Sequence, residues 1–498
     1  MARARTPSLA RQRSVLIVGS EAQPFAKTGG LADVLGALPP ALARLGWDAT
    51  LVMPKYRGVA VGTRVDAFPV TVGGFTLDVS VHQTPLSDGA RALLVECPEL
   101  YDRDALYGSD EGDYPDNARR FGLLSRAALE WAARQAVPIS VVHAHDWQAG
   151  LVPVYLRTLY RSHPVLGGTP SVFTIHNLAY QGVFESDWLP RLDFGWNLFT
   201  IDQLEYWGRI SFLKGGINSA DLITTVSPRY AEEIQTPEFG CGFDGILRRR
   251  RDDLVGILNG IDTREWDPAS DRFLPTPFSA ADLEGKAAAK AAVLARFRLP
   301  ADDRTHGRPL VGMISRMVDQ KGLDLLFALA DELPQLDATF VVLGTGEARY
   351  QDFWRRLAAA HPDRVGVRVG FDEPLAHLIE AGADLFLMPS RFEPCGLNQM
   401  YSLRYGTVPI VREVGGLADT VRDYAPRRRT STGFVFQDYT PAALLDVLGR
   451  AFRLYAEPRK WRALQQVGMR QDFSWDHSAQ EYVKIYERAI KKRIGASG

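Results

Sequence analysis

The sequence predicts an α/β protein with two doubly wound parallel-sheet domains. Short apolar runs bounded by Gly, Pro or Asp alternate with helix-like patterns, and this alternation stops once near the middle before it restarts. The pentapeptide Gly-Gly-Leu-Ala-Asp occurs once in each half, at 29–33 and at 415–419. A chain of 498 residues is also too long for one compact core.

The apolar runs predict the strands of both domains. In the first half they are 14–19, 140–144, 171–175, 222–226 and 254–258. In the second half they are 310–314, 339–343, 365–369, 385–388 and 408–411. A polar, proline-containing stretch over 262–278 separates the two sets, so we place the boundary near residue 265. The predicted domains are 14–265 and 266–474.

The two ends of the chain predict different states. Residues 1–13 contain several arginines and no acidic residue, and they lack the apolar core of a signal peptide. We therefore predict a disordered basic tail there. Residues 475–498 predict a long helix that packs back across both domains. Its apolar face holds Ala479, Tyr482, Val483, Tyr486 and Ile490.

Composition excludes several function classes. The 58 basic and 59 acidic residues nearly cancel, so we expect neither nucleic acid nor membrane as a partner. No run approaches transmembrane length. The three cysteines are far apart and form no CxxC pair, which argues against a disulfide framework and favours a cytoplasmic, reducing compartment. Any anionic ligand must therefore be bound by local charges.

The glycine pairs predict phosphate cradles. Gly29 and Gly30 follow Lys27 and stand between a predicted strand and a predicted helix, where backbone N–H groups and the helix dipole favour an anion. The copy at 415–419 follows strand 408–411 and predicts a second cradle. Tight packing of a strand against a helix is the alternative explanation for such a pair.

Polar residues follow two strands of the first half. Asp146 ends the run His143-Ala144-His145-Asp146, and His176-Asn177 follows strand 171–175. The carboxyl ends of parallel strands are where open α/β sheets bind ligands, so Asp146 and His176 are candidate substrate contacts. Helix capping is the alternative and is compatible with that role. No cysteine or further carboxylate completes a ligand set, so we expect no metal.

The second half offers two cations and a carboxylate. Arg316 and Lys321 follow strand 310–314 and suit a departing diphosphate, because arginine binds two phosphate oxygens and lysine supplies a point charge. Glu393 lies in a loop after strand 385–388 and is suited to a cation-like transition state. A solvated basic helix start and a surface glutamate are the alternatives. Cys395 has no nearby histidine in sequence, which indicates a structural thiol.

These motifs resemble those of bacterial and plant glycogen or starch synthases, which are retaining glucosyltransferases of the GT-B fold. The motifs occur in the same order as in that family and extend across nearly the whole chain. The lysine-glycine-glycine block is similar to that of the branch that uses ADP-glucose. The resemblance implies two Rossmann-like domains facing across a cleft whose closure excludes water. The matching segments are 27–34 (KTGGLADV), 143–147 (HAHDW), 176–182 (HNLAYQG), 259–262 (NGID), 315–316 (SR), 320–322 (QKG) and 390–396 (SRFEPCG).

The resemblance also implies roles for the first domain, which meets the glucan acceptor. Lys27 and the backbone of Gly29 and Gly30 contact the donor phosphates. His176 and Asp146 orient sugar hydroxyls. Asn177 and Asn259 are further substrate-binding candidates.

In the second domain, the resemblance implies nucleotide-sugar binding. Arg316 and Lys321 neutralise the departing ADP without a metal or other cofactor, and Glu393 stabilises an oxocarbenium-like state. Phe371 stacks on the adenine. The substrate-binding segment that follows Glu393 comprises Cys395, Gly396 and Leu397.

One position departs from many retaining GT-B enzymes, because Tyr401 stands where they carry a second glutamate. A double displacement through two carboxylates is therefore disfavoured. We expect the acceptor 4-hydroxyl to attack from the face that the diphosphate leaves, so that glucose passes from ADP-glucose to the non-reducing end of an α-1,4-glucan. The alternatives are a GT-B transferase that uses UDP-glucose or makes a disaccharide, an inactive glucan-binding protein, and a nucleotide-sugar epimerase.

Overall fold

The computed structural model describes residues 13–109, 112–302 and 307–495. The chain divides into two compact units. The first contains the described residues up to Val226, then Ala231–Gly260 and the segment from Trp475; the second contains Ser227–Tyr230 and Ile261–Ser474. The predicted basic tail lies outside the described residues except for Arg13, whose Nη1 is 3.0 Å from Glu487 Oε1.

The first unit is built on a nine-stranded sheet. Neighbouring strands are parallel except at one edge, where Phe75–Pro85 and Thr63–Val72 are antiparallel. The spatial order is Leu254–Gly256, Leu222–Thr225, Ser171–Ile175, Val141–His145, Ser14–Val18, Asp48–Pro54, Arg91–Glu96, Phe75–Pro85 and Thr63–Val72. The sequence predicted five of the seven strands that precede this edge, and it missed Asp48–Pro54, Arg91–Glu96 and the antiparallel edge itself.

The helices that alternate with these strands bury apolar side chains. The helix Gly30–Arg44 buries Leu31, Val34, Leu35 and Leu38, as its spacing predicted. The other helices of this unit are Pro98–Tyr101, Asn117–Ala133, Leu151–Arg157, Trp188–Arg191, Phe212–Ser219, Asp244–Arg249 and Trp475–Gly495, with 3₁₀ turns at Ser87–Gly89, Trp147–Ala149, Trp196–Leu198 and Arg251–Asp253. A further helix, Pro228–Glu233, begins in the short segment that belongs to the second unit.

The predicted C-terminal helix is present as Trp475–Gly495 and belongs to the first unit. It packs against Gly30–Arg44 and against the strands Val141–His145 and Ser171–Ile175. Its buried face includes Ala479, Tyr482 and Tyr486. The expected packing across both domains stays a prediction.

Two small antiparallel sheets complete the first unit. In one, Arg209–Ser211 lies between Val183–Phe184 and Glu205–Tyr206. The other pairs Gly108–Ser109 with Gly112–Asp113.

The second unit has a six-stranded sheet that is parallel throughout. Its spatial order is Val365–Val369, Thr339–Gly344, Leu310–Ile314, Leu385–Met388, Val408–Arg412 and Phe434–Phe436. Its described helices are Glu284–Phe297, Leu323–Phe327, Ala348–Ala360, Glu373–Gly382, Asn398–Arg404, Gly415–Thr420, Pro441–Tyr455 and Pro458–Met469, with 3₁₀ turns at Asp319–Lys321 and Leu333–Gln335.

The predicted strands are confirmed in both units. Strands 171–175, 310–314, 365–369 and 385–388 have the predicted bounds, and the others differ by one or two residues at their ends. Among the residues described, no helix has the length and apolar character needed to span a membrane.

Candidate active site

The first glycine pair is held by a buried carboxylate. Glu21 Oε2 accepts hydrogen bonds from the backbone N–H of Thr28 and, at 3.4 Å, of Gly29. The Thr28 hydroxyl donates to the same carboxyl group at 3.0 Å. Lys27 Nζ lies 2.6 Å from Asp33 Oδ1 and is partly exposed. Glu21 therefore fixes the conformation of the loop that precedes the helix Gly30–Arg44.

Glu21 is itself held by a short polar network. The Tyr107 hydroxyl lies 3.1 Å from Glu21 Oε1 and 2.7 Å from Ser20 Oγ. Burial raises the pKa of Glu21, while the hydrogen bonds from Thr28 act in the opposite direction. Glu21 was not a predicted site residue, although it lies shortly after the carboxyl end of the strand Ser14–Val18.

Asp146 and His176 meet at the carboxyl ends of neighbouring strands. Asp146 Oδ1 accepts a hydrogen bond of 2.7 Å from the backbone N–H of His176. Asp146 has a φ of 55°, in the left-handed region that non-glycine residues rarely occupy, and its side chain does not cap the 3₁₀ turn that follows. The Asp146 carboxylate thus joins two strand ends, and capping does not explain its position.

Burial shifts the protonation of both groups. It raises the pKa of Asp146 to about 7, against hydrogen bonds from the backbone of His176 and Asn177 that lower it. It lowers the pKa of His176 to about 3. His176 is therefore neutral near pH 7, and its Nε2 lies 2.9 Å from Nδ1 of His145.

The remaining polar candidates of this unit have local partners or are buried. Asn177 Oδ1 accepts a hydrogen bond of 3.1 Å from the Ala179 N–H. Asn259 is buried, and within the described part of the chain its Oδ1 accepts no hydrogen bond. His143 links the sheet to the C-terminal helix, because its ring nitrogens lie 2.9 Å from the Tyr486 hydroxyl and 2.6 Å from Thr174 Oγ1.

Lys321 and Glu393 form a buried ion pair in the second unit. Lys321 Nζ lies 2.6 Å from Glu393 Oε2, and the Ser390 hydroxyl donates to the same oxygen at 3.0 Å. Both side chains are largely buried. Gly322 has a φ of +73°, and a Cβ there would lie 1.9 Å from the Pro389 carbonyl oxygen, so this close approach requires glycine.

Arg316 follows the strand Leu310–Ile314 and is exposed. Its Nη2 donates to Gln320 Oε1 at 3.2 Å. Gln320 in turn contacts the Glu393 loop, since its Nε2 donates to the Phe392 carbonyl at 3.3 Å. Arg316 and Lys321 thus belong to one connected segment beside Glu393.

The second glycine pair has a different role from the phosphate cradle that we predicted. The Gly416 N–H donates to the carbonyls of Glu393 at 3.1 Å and Pro394 at 3.2 Å, and the Leu417 N–H donates to the Val414 carbonyl. Internal carbonyls therefore engage these amides. A Cβ at Gly415 would lie 1.9 Å from the Glu393 carbonyl oxygen, so the pair lets the helix start approach and hold the Glu393 loop.

The segment after Glu393 is anchored by Gln399. Cys395 is buried, and Gly396 has a φ of +72°. Gln399 Nε2 donates to the carbonyls of Cys395 at 3.0 Å and Gly396 at 3.1 Å, while Leu397 precedes the helix Asn398–Arg404. The substrate-facing role of this segment stays a prediction.

Two aromatic residues contrast in this unit. Phe371 follows the strand Val365–Val369 and is 84% exposed, as a stacking partner for a base would be. Tyr401 stacks on Trp266 with ring centroids 3.8 Å apart and an interplanar angle of 12°. The position of the missing second carboxylate is thus occupied by a packing aromatic ring.

One group of described residues brings ligand atoms close enough together to share a metal ion, and it comprises Glu265, Glu373 and His377. None of the three is a predicted site residue.

The structure joins Asp146 to His176 in the first unit and Lys321 to Glu393 in the second. Ser390 donates to Glu393, and Glu21 holds the loop of Thr28 and Gly29. Neither was a predicted site residue.

Comparison with known proteins agrees with this architecture. Residues 14–249 match the family described as "Starch synthase catalytic domain", and residues 299–463 match "Glycosyl transferases group 1". A protein named glycogen synthase from Koribacter versatilis is 47% identical over 96% of this chain and 99% of its own length. Another of that name from Anaeromyxobacter sp. (strain Fw109-5) is 50% identical over 95% of this chain and 98% of its own length.

Solved structures agree as well. The catalytic domain of starch synthase IV from Arabidopsis thaliana, solved with ADP and acarbose, matches with a TM-score of 0.88 and 34% identity, covering 96% of this chain and 99% of that one. Sucrose-phosphate synthase from Thermosynechococcus elongatus matches with a TM-score of 0.60 and 17% identity over 98% and 100% of the two chains, which shows the fold alone.

The two parallel-sheet units and the matched families define a GT-B glycosyltransferase with two Rossmann-like domains. The chain is also similar over nearly its full length to proteins named glycogen synthase, which narrows the assignment within that class. The chain belongs to the glycogen synthase family.

Proposed function

We propose that this chain transfers glucose from ADP-glucose to the 4-hydroxyl at the non-reducing end of an α-1,4-glucan, with retention of configuration. The observation that carries the proposal is the buried pair of Lys321 and Glu393, held at 2.6 Å and oriented by Ser390. It supplies a cation for a diphosphate and a carboxylate for a cationic sugar within one cluster. Full-length relatives named glycogen synthase support the reaction, and a relative solved with ADP supports the donor base.

The cations bind the donor diphosphate in this scheme. Lys321 and Arg316 neutralise the charge that grows on ADP as it departs, so the reaction needs no metal for this step. In the first unit, Lys27 and the backbone of Gly29 and Gly30 are the candidate contacts for donor phosphates. In the second unit, Phe371 stacks on the adenine. The segment Cys395, Gly396 and Leu397 also binds substrate.

Glucosyl transfer then proceeds on one face of the sugar. The bond from C1 to the β-phosphate oxygen breaks, and its electron pair leaves with ADP. The acceptor O4 forms the new bond to C1, and its proton passes to the departing phosphate. Glu393 stabilises the positive charge at C1 while both bonds are long.

The polar residues of the first unit orient sugar hydroxyls. Neutral His176 can donate or accept a hydrogen bond, and Asp146 accepts one more strongly when it is ionised. Asn177 and Asn259 add amide groups that bind hydroxyls.

We also infer a cytoplasmic setting, since no disulfide joins Cys97, Cys241 and Cys395, all of which the structure describes.

Nucleoside diphosphate release tests the proposal. Purified protein is given ADP-glucose or UDP-glucose, each with and without glycogen. We expect release from ADP-glucose that depends on glycogen. Preference for UDP-glucose would contradict the donor assignment, donor conversion without acceptor would favour an epimerase, and binding of glycogen without release would favour an inactive glucan-binding protein.

A further inference from the structure

A tight hairpin in the first unit carries a tryptophan at its tip. The strands Glu205–Tyr206 and Arg209–Ser211 are antiparallel, and Tyr206 pairs with Arg209, so the loop consists of Trp207 and Gly208 alone. Their φ angles are +52° and +77°. Two consecutive positive φ angles in a two-residue hairpin loop define a type I′ turn.

Tryptophan is a poor residue for this turn. The first position of a type I′ loop favours Asn, Asp or Gly, because a bulky side chain is strained at positive φ. The Trp207 side chain is also 84% exposed, and its ring contact within the described residues is with the adjacent Tyr206 at 6.4 Å. Neither turn formation nor core packing therefore explains this residue, and strain that the fold does not require is typical of functional positions.

The hairpin is built onto the loop that follows His176. Its strand Arg209–Ser211 also pairs with Val183–Phe184. The Tyr206 hydroxyl and Gln181 Nε2 both donate to the Cys241 carbonyl, at 3.1 Å and 2.8 Å. Gln181 is close in sequence to His176 and Asn177, so the hairpin and the candidate hydroxyl-binding residues share one framework.

The chain segment around Trp207 contributes exposed apolar side chains and charges that are paired. Trp196 and Ile201, in the segment that leads to the hairpin, are also largely exposed. Arg209 forms an ion pair of 2.9 Å with Glu185, and Arg249 forms one of 2.7 Å with Asp202. Such a surface favours an uncharged ligand over an anionic one, since its charges are already paired.

We propose that Trp207 is a stacking platform for the α-glucan acceptor, outside the reacting residues. The inference rests on the proposed function, which supplies the ligand class. The faces of a pyranose ring present C–H groups, whereas its hydroxyls lie at the rim. A flat, exposed indole covers such a face while the hydroxyls keep their water. The platform binds the chain distant from its reacting end and so raises the affinity for long acceptors.

The substitution Trp207→Asn tests the platform without disturbing the fold, because asparagine suits the type I′ turn and should keep or raise the melting temperature. Trp207→Phe keeps a flat ring, and Phe75→Ala removes an exposed aromatic from the edge hairpin of the large sheet. We measure the Kd for glycogen by affinity electrophoresis, and the KM values for glycogen and ADP-glucose. For Trp207→Asn we expect both glycogen constants to rise about tenfold, with the KM for ADP-glucose unchanged.

Trp207→Phe should restore most of the glycogen affinity, and Phe75→Ala should match the unsubstituted protein. Unchanged glycogen binding in Trp207→Asn would overturn the platform, as would an equal loss in Trp207→Phe or in Phe75→Ala. These outcomes leave glycogen-dependent ADP release intact, so the proposed function would stand. Conversely, glycogen binding that depends on Trp207 in a protein without ADP release would refute the transferase and keep the binding site.

Discussion

Lys321 Nζ lies 2.6 Å from Glu393 Oε2, and Ser390 donates to that same oxygen at 3.0 Å. Lys460 and Glu457 form a pair of almost equal length, 2.5 Å, in which both side chains are at least half exposed. The difference between the pairs is burial, because water screens the charges of the second pair more than those of the first. Lys460 therefore provides a matched control for Lys321.

We expect Lys321→Ala to lower the rate of ADP release by about 10²- to 10³-fold, the usual effect of removing a group that stabilises transition-state charge. Lys460→Ala should keep the rate and change the free energy of unfolding by less than about 0.5 kcal/mol. The measurements are steady-state kinetics and thermal melting of both variants. Normal turnover by a folded Lys321→Ala protein would contradict the assignment.

Gly322 gives a second prediction, because its left-handed φ of +73° and its contact with the Pro389 carbonyl leave no room for a side chain. We expect Gly322→Ala to destabilise the protein by more than about 1 kcal/mol and to lower activity through displacement of Lys321. Gly245, in the helix Asp244–Arg249, has open space on its side-chain face, since a Cβ added there would meet no atom within 4 Å. Gly245→Ala should raise stability by up to about 1 kcal/mol, and equal effects of the two substitutions would refute this reasoning.

Glu21→Gln keeps the size of the side chain but replaces one acceptor oxygen with a donor. The bonds to Thr28 and Gly29 need acceptors, so we expect the free energy of unfolding to fall by about 1–3 kcal/mol and donor turnover to fall with it. Denaturant unfolding and the KM for ADP-glucose report these effects. Glu99→Gln is the control, because the Glu99 side chain is 58% exposed and its ion pair with Arg119 is 3.2 Å long. A loop that tolerates Glu21→Gln with unchanged stability and kinetics would show that the carboxylate does not hold it.

Asp146 predicts a pH-dependent stability. Its pKa rises from 3.8 to about 7 in the folded state, so the folded protein keeps a proton that the unfolded chain releases. The stability from that proton is fully present below pH 3.8 and is lost as the pH rises to about 7. Asp146→Asn cannot ionise, so its free energy of unfolding should gain on the unsubstituted protein by about 1 kcal/mol per pH unit across that range. Urea unfolding between pH 4 and 8 measures this difference, and a constant difference would contradict it.

Much of the fold follows from local sequence. Apolar runs such as 171–175 and 310–314 become strands with the predicted bounds, because a parallel strand is buried on both faces. The edge hairpin Thr63–Val72 and Phe75–Pro85 was missed because it buries one face and alternates apolar with polar residues. The intervening Gly73-Gly74 was the available signal.

The site was less accessible to sequence reasoning because its geometry depends on distant partners. Lys321 and Glu393 are 72 positions apart, and only the folded sheet brings their charges together. The two copies of Gly-Gly-Leu-Ala-Asp also show that local sequence alone does not determine the contacts of a segment. Glu21 accepts from the amide of Gly29, whereas the carbonyls of Glu393 and Pro394 accept from that of Gly416. One local sequence therefore serves two different structural purposes.

Product analysis tests the central claim most directly. The protein is incubated with maltoheptaose and ADP-glucose labelled with ¹³C in the glucose unit, and the product is examined by NMR. We predict labelled glucose in a new α-1,4 linkage at the non-reducing end, formed by the unsubstituted protein and by Lys460→Ala but not by Lys321→Ala. A β linkage, a linkage to another hydroxyl, or free labelled glucose as the main product would contradict the account.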